Sequence, residues 1–211
     1  MLSLNKKWAA VCSLTVAAIL GAGFGSTAAH AATGSGAACS GANLCPPNTA
    51  VTANLKTGTD LNIAVQAASF GPISMTCTTF AASFGTPASG LKTTLTAPPT
   101  VSGCSDDLGA TVDFIMSGKW AFRWNTTGTK VKITAPINGG TIVDTVLPGC
   151  VITLNPTAGS NMTGAYNETR GIARFTNQNF GVIQPNASCP AGTWTFTMSF
   201  TLKFSPIVKV G

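Results

Sequence analysis

Apolar and polar residues alternate along most of the chain after residue 50, in short runs separated by turn-forming residues. The alternation is longest at 193–204, where Trp, Phe, Met and Leu residues take every second position and Thr, Ser or Lys residues lie between them. A period of two over such a length indicates a β-strand with one buried face. Shorter runs predict further strands at 51–56, 61–67, 73–79, 91–96, 111–116, 119–125, 130–134, 141–146, 151–155, 164–168, 171–176 and 180–184.

Short strands at even spacing, with turn residues between them, are typical of an antiparallel sandwich or barrel. We therefore predict an all-β fold, an Ig-like antiparallel β-sandwich, over residues 51–211. The preceding residues, 32–50, are rich in Gly, Ala and Pro. They predict a flexible segment that contains a small disulfide loop.

The first 31 residues have the pattern of a helical secretory signal peptide. Lys6 and Lys7 precede an uncharged apolar run, which ends in small residues and an Ala29-His30-Ala31 cleavage motif. A membrane anchor is the alternative, but glycines interrupt the end of the run and no charged stop-transfer flank follows it. We expect a secreted, extracellular protein, with cell-wall association as an option and no transmembrane span after cleavage.

The cysteines that remain after cleavage favour disulfides. Six is an even number, as expected for three bridges in an oxidising compartment. Fifteen connectivities exist in principle, and the spacing favours sequential pairing of Cys39 with Cys45, Cys77 with Cys104, and Cys150 with Cys189. Lipidation of Cys39 is an alternative to its disulfide. A cysteine-based metal site is disfavoured because no CxxC pair is present, and we predict no metal and no cofactor.

Catalytic groups are scarce once the signal peptide is removed. His30 is the single histidine, so its loss excludes Ser-His-Asp and Cys-His nucleophile activation. The pair Asp106-Asp107 fits a turn better than an active site. We predict no catalytic residue and no enzyme. A carboxylate-based hydrolase remains a distant alternative, which would require two of the following to converge: Asp106, Asp107, Asp113, Asp144 and Glu168.

One predicted strand carries three large rings on the same face: Trp120, Phe122 and Trp124. Such rings are most often core residues. The alternative is a binding platform, in which the protein carries a small molecule or carbohydrate in an aromatic-lined cleft.

The number and spacing of charged residues indicate which classes of partner the protein can bind. Charged residues make up 9% of the chain, and its formal charge of +6 falls to +4 without Lys6 and Lys7. A mild basic bias favours approach to an anionic cell-wall polymer. The lysines are scattered singly along the sequence, which argues against the basic stripe of a nucleic-acid-binding protein. The preferred hypothesis is therefore a non-catalytic extracellular or cell-envelope protein, which acts by surface binding or as a structural component.

The order of cysteines and strands resembles a group of secreted Ser/Thr/Gly-rich β-sandwich proteins of actinobacteria over about residues 73–207. The resemblance rests on Cys77, Val101-Ser102-Gly103-Cys104, the Trp120–Trp124 strand, Cys150, Gly164-Ala165-Tyr166-Asn167, Cys189 and the final strand through Pro206. It implies an exported Ig-like sandwich in which Cys77 pairs with Cys104 and Cys150 with Cys189. It supplies no catalytic residue. The pair Cys39 and Cys45 is an addition to the group's pattern.

Overall fold

The computed structural model describes residues 43–67, 71–145, 147–155, 157–181 and 183–211. These residues form β-strands and turns, with no helix among them. The strands are β1 (Leu44–Cys45), β2 (Ala50–Leu55), β3 (Leu61–Ala67), β4 (Gly71–Gly85), β5 (Lys92–Thr94), β6 (Thr100–Asp106), β7 (Thr111–Met116), β8 (Ala121–Trp124), β9 (Lys130–Ala135), β10 (Gly140–Asp144), β11 (Val151–Leu154), β12 (Ser160–Asn167), β13 (Ile172–Asn179), β14 (Ile183–Pro185), β15 (Trp194–Ser205) and β16 (Lys209–Val210).

Fourteen of the described strands belong to one antiparallel sheet. Its order is β14-β11-β10-β7-β6-β4-β2-β15-β13-β12-β9-β8-β5, and β3 pairs with both β4 and β15. Strands at the two ends of this order approach the long central strands, β14 against β15 and β5 against β4. The sheet therefore folds back on itself in a sandwich-like arrangement. β1 and β16 form a separate two-stranded sheet.

β2 and β3 occupy the same place in the sheet, one after the other, between β4 and β15. Both are antiparallel to these neighbours. The residues between them, 56–60, leave the ladder as a loop, in which Gly58 has a φ of 75° that glycine adopts readily. We call this segment the 56–60 loop. The backbone N–H of Lys56 donates to the carbonyl of Thr201 at 2.8 Å, so the loop lies beside β15.

The core lies between the inner faces of the folded sheet. On β15 the predicted alternation is present throughout, with the aromatic, Met and Leu side chains buried and the Thr, Ser and Lys side chains at or near the surface. All aromatic side chains of the described residues are buried. Phe204 is central to one aromatic cluster, because its ring lies 5.5–6.3 Å from those of Phe84, Phe122, Trp124 and Tyr166.

Disulfides tie the sheet at two places. Cys77 of β4 lies directly opposite Cys104 of β6 and is bonded to it. Cys150, just before β11, is bonded to Cys189 in the connection between β14 and β15. Cys45 is also disulfide-bonded, whereas the predicted pairing with Cys39 involves a residue outside the described ranges. The predictions of an all-β, antiparallel, sandwich-like fold and of these two bridges are confirmed.

The structure differs from the sequence prediction at several strands. β6 was not predicted, because Ser102 and Gly103 are turn formers, yet the strand pairs with both β4 and β7. β4 continues past the predicted end at residue 79. Residues 44 and 45 lie in the segment predicted to be flexible, but they form β1 and are buried, because they pair with β16. The predicted signal peptide, 1–31, lies outside the described residues.

Candidate functional site

The aromatic residues considered as a ligand platform lie in the core. Trp120, Phe122 and Trp124 each have 1% of their surface exposed. The rings of Phe122 and Trp124 pack against Phe204 at centroid distances of 5.5 and 5.6 Å, and Trp120 packs against Phe180 at 5.9 Å. A binding cleft needs rings that a ligand can reach. These three rings pack in the core, and Trp124 also lines the open groove that contains Arg123, Lys130 and Lys132.

Four surface grooves of the described residues have no candidate carboxylate in their lining, whether Asp106, Asp107, Asp113, Asp144 or Glu168. Asp106 has the turn role expected from the sequence, because its Oδ1 accepts the backbone N–H of Leu108 at 3.0 Å and of Ala110 at 2.6 Å. This carboxylate holds the turn between β6 and β7.

Among the described residues, no three His, Cys, Asp or Glu side chains form a group that could hold a metal ion. No helix in that part of the chain has the length and apolar character to cross a membrane.

Cations on three neighbouring strands form a row on the outer surface of the sheet. Lys92 of β5 lies opposite Arg123 of β8, and Arg123 lies opposite Lys132 of β9. Directly opposed residues of an antiparallel pair point to the same face. Because Phe122 and Trp124 are buried on the inner face, Arg123 and its two neighbours point outward. Adjacent strands are about 4.8 Å apart, so the three side chains stand next to one another.

A second row, which contains two more cations, crosses β9 at Lys130, two residues before Lys132 of the first row. Lys130 of β9 lies opposite Ala165 of β12, Ala165 lies opposite Arg174 of β13, and Arg174 lies opposite Thr201 of β15. A single small residue, Ala165, thus separates the two cations of this row. The backbones of Lys130 and Arg174 are two strand spacings apart, about 10 Å.

Two open grooves cross this surface, and each contains three cations. The first, which we call the β9 groove, has a volume of about 310 Å³, and its lining includes Arg123, Lys130, Lys132 and Thr163. The second, which we call the β13 groove, has a volume of about 470 Å³, and its lining includes Lys56, Arg170, Arg174, Ala165 and Thr201. The grooves adjoin at β12, where Thr163 borders one and Ala165 the other.

We call the whole surface the basic face and define it by eight cations: Lys56, Lys92, Arg123, Lys130, Lys132, Arg170, Arg174 and Lys203. Within the described ranges, the remaining basic residues are Lys119 and Lys209. In that same part of the chain, no cation of the basic face lies within ion-pairing distance of a carboxylate. The positive charges of this surface are therefore not neutralised by carboxylates of the described residues.

Most carboxylates lie away from the basic face. Asp106, Asp107, Asp113 and Asp144 lie on or beside β6, β7 and β10, in the other half of the sheet. Asp60 of the 56–60 loop lines a groove that also includes Arg174. Glu168 is half-buried in the turn after β12, where its Oε1 accepts the backbone N–H of Val210 at 2.7 Å. Four of the six carboxylates thus lie away from the basic face, whereas Asp60 and Glu168 lie near it.

The turn that carries Arg170 is held by local hydrogen bonds. Asn167 Oδ1 accepts the backbone N–H of Arg170 at 2.9 Å, and Lys203 Nζ donates to the carbonyl of Arg170. Gly171 closes the turn with a φ of 61°. These contacts fix the backbone at one wall of the β13 groove, and they leave the guanidinium group of Arg170 exposed.

Sequence reasoning missed this surface. The spacing of the lysines in the sequence argues against a basic stripe, but the pairing of the strands gathers them on one face. A signal for it exists in the sequence: Arg123, Lys132, Arg174 and Lys203 all occupy the polar phase of alternating strands. That phase predicts that each side chain points outward, and it does not indicate which strands are neighbours.

Comparison with known proteins does not identify the chain. No protein-family model, no curated protein and no solved structure matches it significantly. The function must therefore be inferred from the chemistry of the basic face.

Proposed function

We propose that this protein is a non-catalytic extracellular or cell-envelope protein that binds an anionic envelope polymer through the basic face. The observation that carries the proposal is the collection of eight cations, without carboxylate partners among the described residues, on one outer surface. Like charges at directly opposed strand positions destabilise a sheet. A surface that lowers stability in this way is typical of a binding site.

The covalent structure supports an extracellular location. Cys77–Cys104 and Cys150–Cys189 are bonded, and Cys45 is disulfide-bonded as well. Such bridges are typical of proteins outside the reducing cytoplasm. Together with the signal-peptide pattern at 1–31, they favour a compartment in which the protein meets wall polymers.

The form of the two grooves favours a polymer over a small ligand. Small-molecule sites usually enclose most of the ligand in an apolar lining. The β9 and β13 grooves are open, and three cations line each of them. A polyanion needs no enclosure, because it gains affinity from many weak contacts and from the release of its counterions.

The absence of exposed rings in the described ranges favours a polymer without bases. Proteins that bind single-stranded nucleic acid combine positive grooves with exposed aromatic side chains on which the bases stack. Here every described aromatic side chain is buried. The basic face therefore offers charge and hydroxyl groups, which suit an anionic chain of simple units.

A binding experiment with matched variants tests the proposal. The exported protein is mixed with isolated cell wall and with long-chain polyphosphate over a series of salt concentrations. Lys130→Thr/Arg174→Thr removes two cations of the basic face, and Lys119→Thr/Lys209→Thr removes the same charge elsewhere. We expect the first variant to bind more weakly, with a salt slope reduced by about two, because each lost phosphate contact lowers the slope by about one.

The control variant should retain the affinity and salt slope of the wild type. Equal effects of the two variants would mean that only net charge matters and that the basic face is not the site. A wild-type protein that remains wholly in the supernatant at low salt would overturn the proposal itself.

A further inference from the structure

We infer that the β9 groove and the β13 groove are successive subsites for one linear polymer of phosphate groups, which crosses β12 over Ala165. This inference rests on the proposed function and specifies how the polymer lies on the basic face. It commits to phosphate as the anionic group and to simultaneous occupation of both grooves.

The arrangement of cations supports two subsites. Each groove contains three cations, and the row Lys130, Ala165 and Arg174 joins the two grooves directly. The backbones of the two cations in this row are about 10 Å apart. A ligand with one anionic group can satisfy one groove only. A chain with a charge on each unit can occupy both at once.

The residues of β12 leave the passage between the grooves open. Between the grooves, the outward positions on this strand are Thr163 and Ala165, and both are exposed. The inward position between them is Gly164, where an added Cβ would lie 2.9 Å from the ring of Phe175 and 2.8 Å from the carbonyl of Arg174. β12 thus lies close to the core and presents small side chains outward, while long cationic side chains rise on both sides of it.

The β13 groove suits a tetrahedral anion. Its cations come from three separate elements, with Lys56 in the 56–60 loop, Arg170 in the turn after β12 and Arg174 on β13. A phosphate group presents its oxygens in several directions and can accept hydrogen bonds from all three elements. A carboxylate accepts mainly in its own plane. Arginine is also well suited to phosphate, because its planar fork donates two parallel hydrogen bonds.

The passage can be blocked without a change in charge. Ala165→Ile places a β-branched side chain, which strands accommodate well, at the exposed position between Lys130 and Arg174. Ala64→Ile makes the same change at an exposed position of β3, outside both grooves. Binding of long-chain polyphosphate, pyrophosphate and polyglutamate to the full exported protein is then measured by calorimetry at low salt.

We expect Ala165→Ile to weaken the binding of long-chain polyphosphate by about fivefold or more, because simultaneous engagement of two sites is lost when geometry forbids it. The same variant should weaken the binding of pyrophosphate less than that of polyphosphate, because pyrophosphate can still occupy the β9 groove, which Ala165 does not line. Ala64→Ile should bind both probes like the wild type. Polyglutamate should bind the wild type more weakly than polyphosphate.

Three results would overturn this inference while leaving the proposed function intact: unchanged polyphosphate binding by Ala165→Ile, an equal loss of pyrophosphate and polyphosphate binding in that variant, or polyglutamate binding as tight as that of polyphosphate. If the wild-type protein binds none of the polymers at low salt, the proposed function fails as well. The two failures are therefore distinguishable.

Discussion

Replacement of Arg123 by threonine should make the protein more stable and a weaker binder at the same time. Arg123 lies between two cations of the outer row, Lys92 and Lys132, and pairs directly with both. Threonine keeps a β-branched side chain at this strand position, and it removes the charge. The fold therefore loses two repulsive contacts, while the basic face loses one cation.

The size of the effect follows from the strand spacing. Neighbouring strands are about 4.8 Å apart, and flexible side chains can spread their charges to about 7 Å. Two like charges in water at that distance repel each other by about 0.6 kcal/mol. Two neighbours therefore cost about 1.2 kcal/mol at low salt. At physiological ionic strength, with a Debye length of about 8 Å, less than half of this repulsion remains.

Urea unfolding followed by tryptophan fluorescence measures the change. We expect Arg123→Thr to raise the free energy of unfolding by about 1 kcal/mol at about 10 mM salt, and by less than half as much at physiological salt. Lys119→Thr is the control, because it removes one cation outside the basic face and should produce no comparable gain. A destabilised Arg123→Thr variant, or a gain that does not depend on salt, would refute the reasoning.

Three further predictions concern the fold. Burial of the Tyr166 hydroxyl, with a contribution from the nearby Glu168 carboxylate, raises the pKa of this phenol well above its usual value of 10.0. Because the native state favours the protonated form, the free energy of unfolding should fall as the pH rises above about 10. Tyr166→Phe should reduce this fall in alkaline unfolding curves. The Cys150–Cys189 bridge spans 39 residues. The variant Cys150→Ala/Cys189→Ala should therefore have a free energy of unfolding about 4 kcal/mol lower than the wild type in the loop-entropy model. A loss below about 1 kcal/mol in urea unfolding would contradict that model here. Phe204→Ala should lower the free energy of unfolding by about 3–5 kcal/mol, because the ring contacts four other aromatic rings and its removal leaves a cavity. Thr201→Ala, on the outer face of the same strand, should change the unfolding midpoint little.

Much of the fold could be predicted because its signals are local. Alternation at 193–204 identified β15 and its buried face, and that strand is where the prediction placed it. Where the local signal was weak, prediction failed. Ser102 and Gly103 have the composition of a turn, yet β6 is a strand because β4 and β7 pair with it on both sides. The same applies to residues 44–45, whose partner, β16, lies at the opposite end of the sequence.

The candidate site was less predictable than the fold. Three rings on one strand were correctly favoured as core residues, since a buried inner face usually takes the largest apolar side chains. The cations were misjudged, because their spacing in the sequence carries no information about their spacing in the sheet. Lys92 and Lys132 are 40 positions apart in the sequence, and both lie next to Arg123 in the structure.

The sequence alone determined which residues face inward, because in a strand the direction of each side chain follows from its place in a two-residue period. It also predicts the available chemistry, since cleavage at the predicted site would remove the one histidine, His30, and leave few groups that transfer protons near neutral pH. Only the tertiary structure decided which outward residues became neighbours. Pairing joins strands that are far apart along the chain, and its register sets the rows of the sheet. For that reason, cations that are isolated in the sequence form one continuous surface in the folded protein.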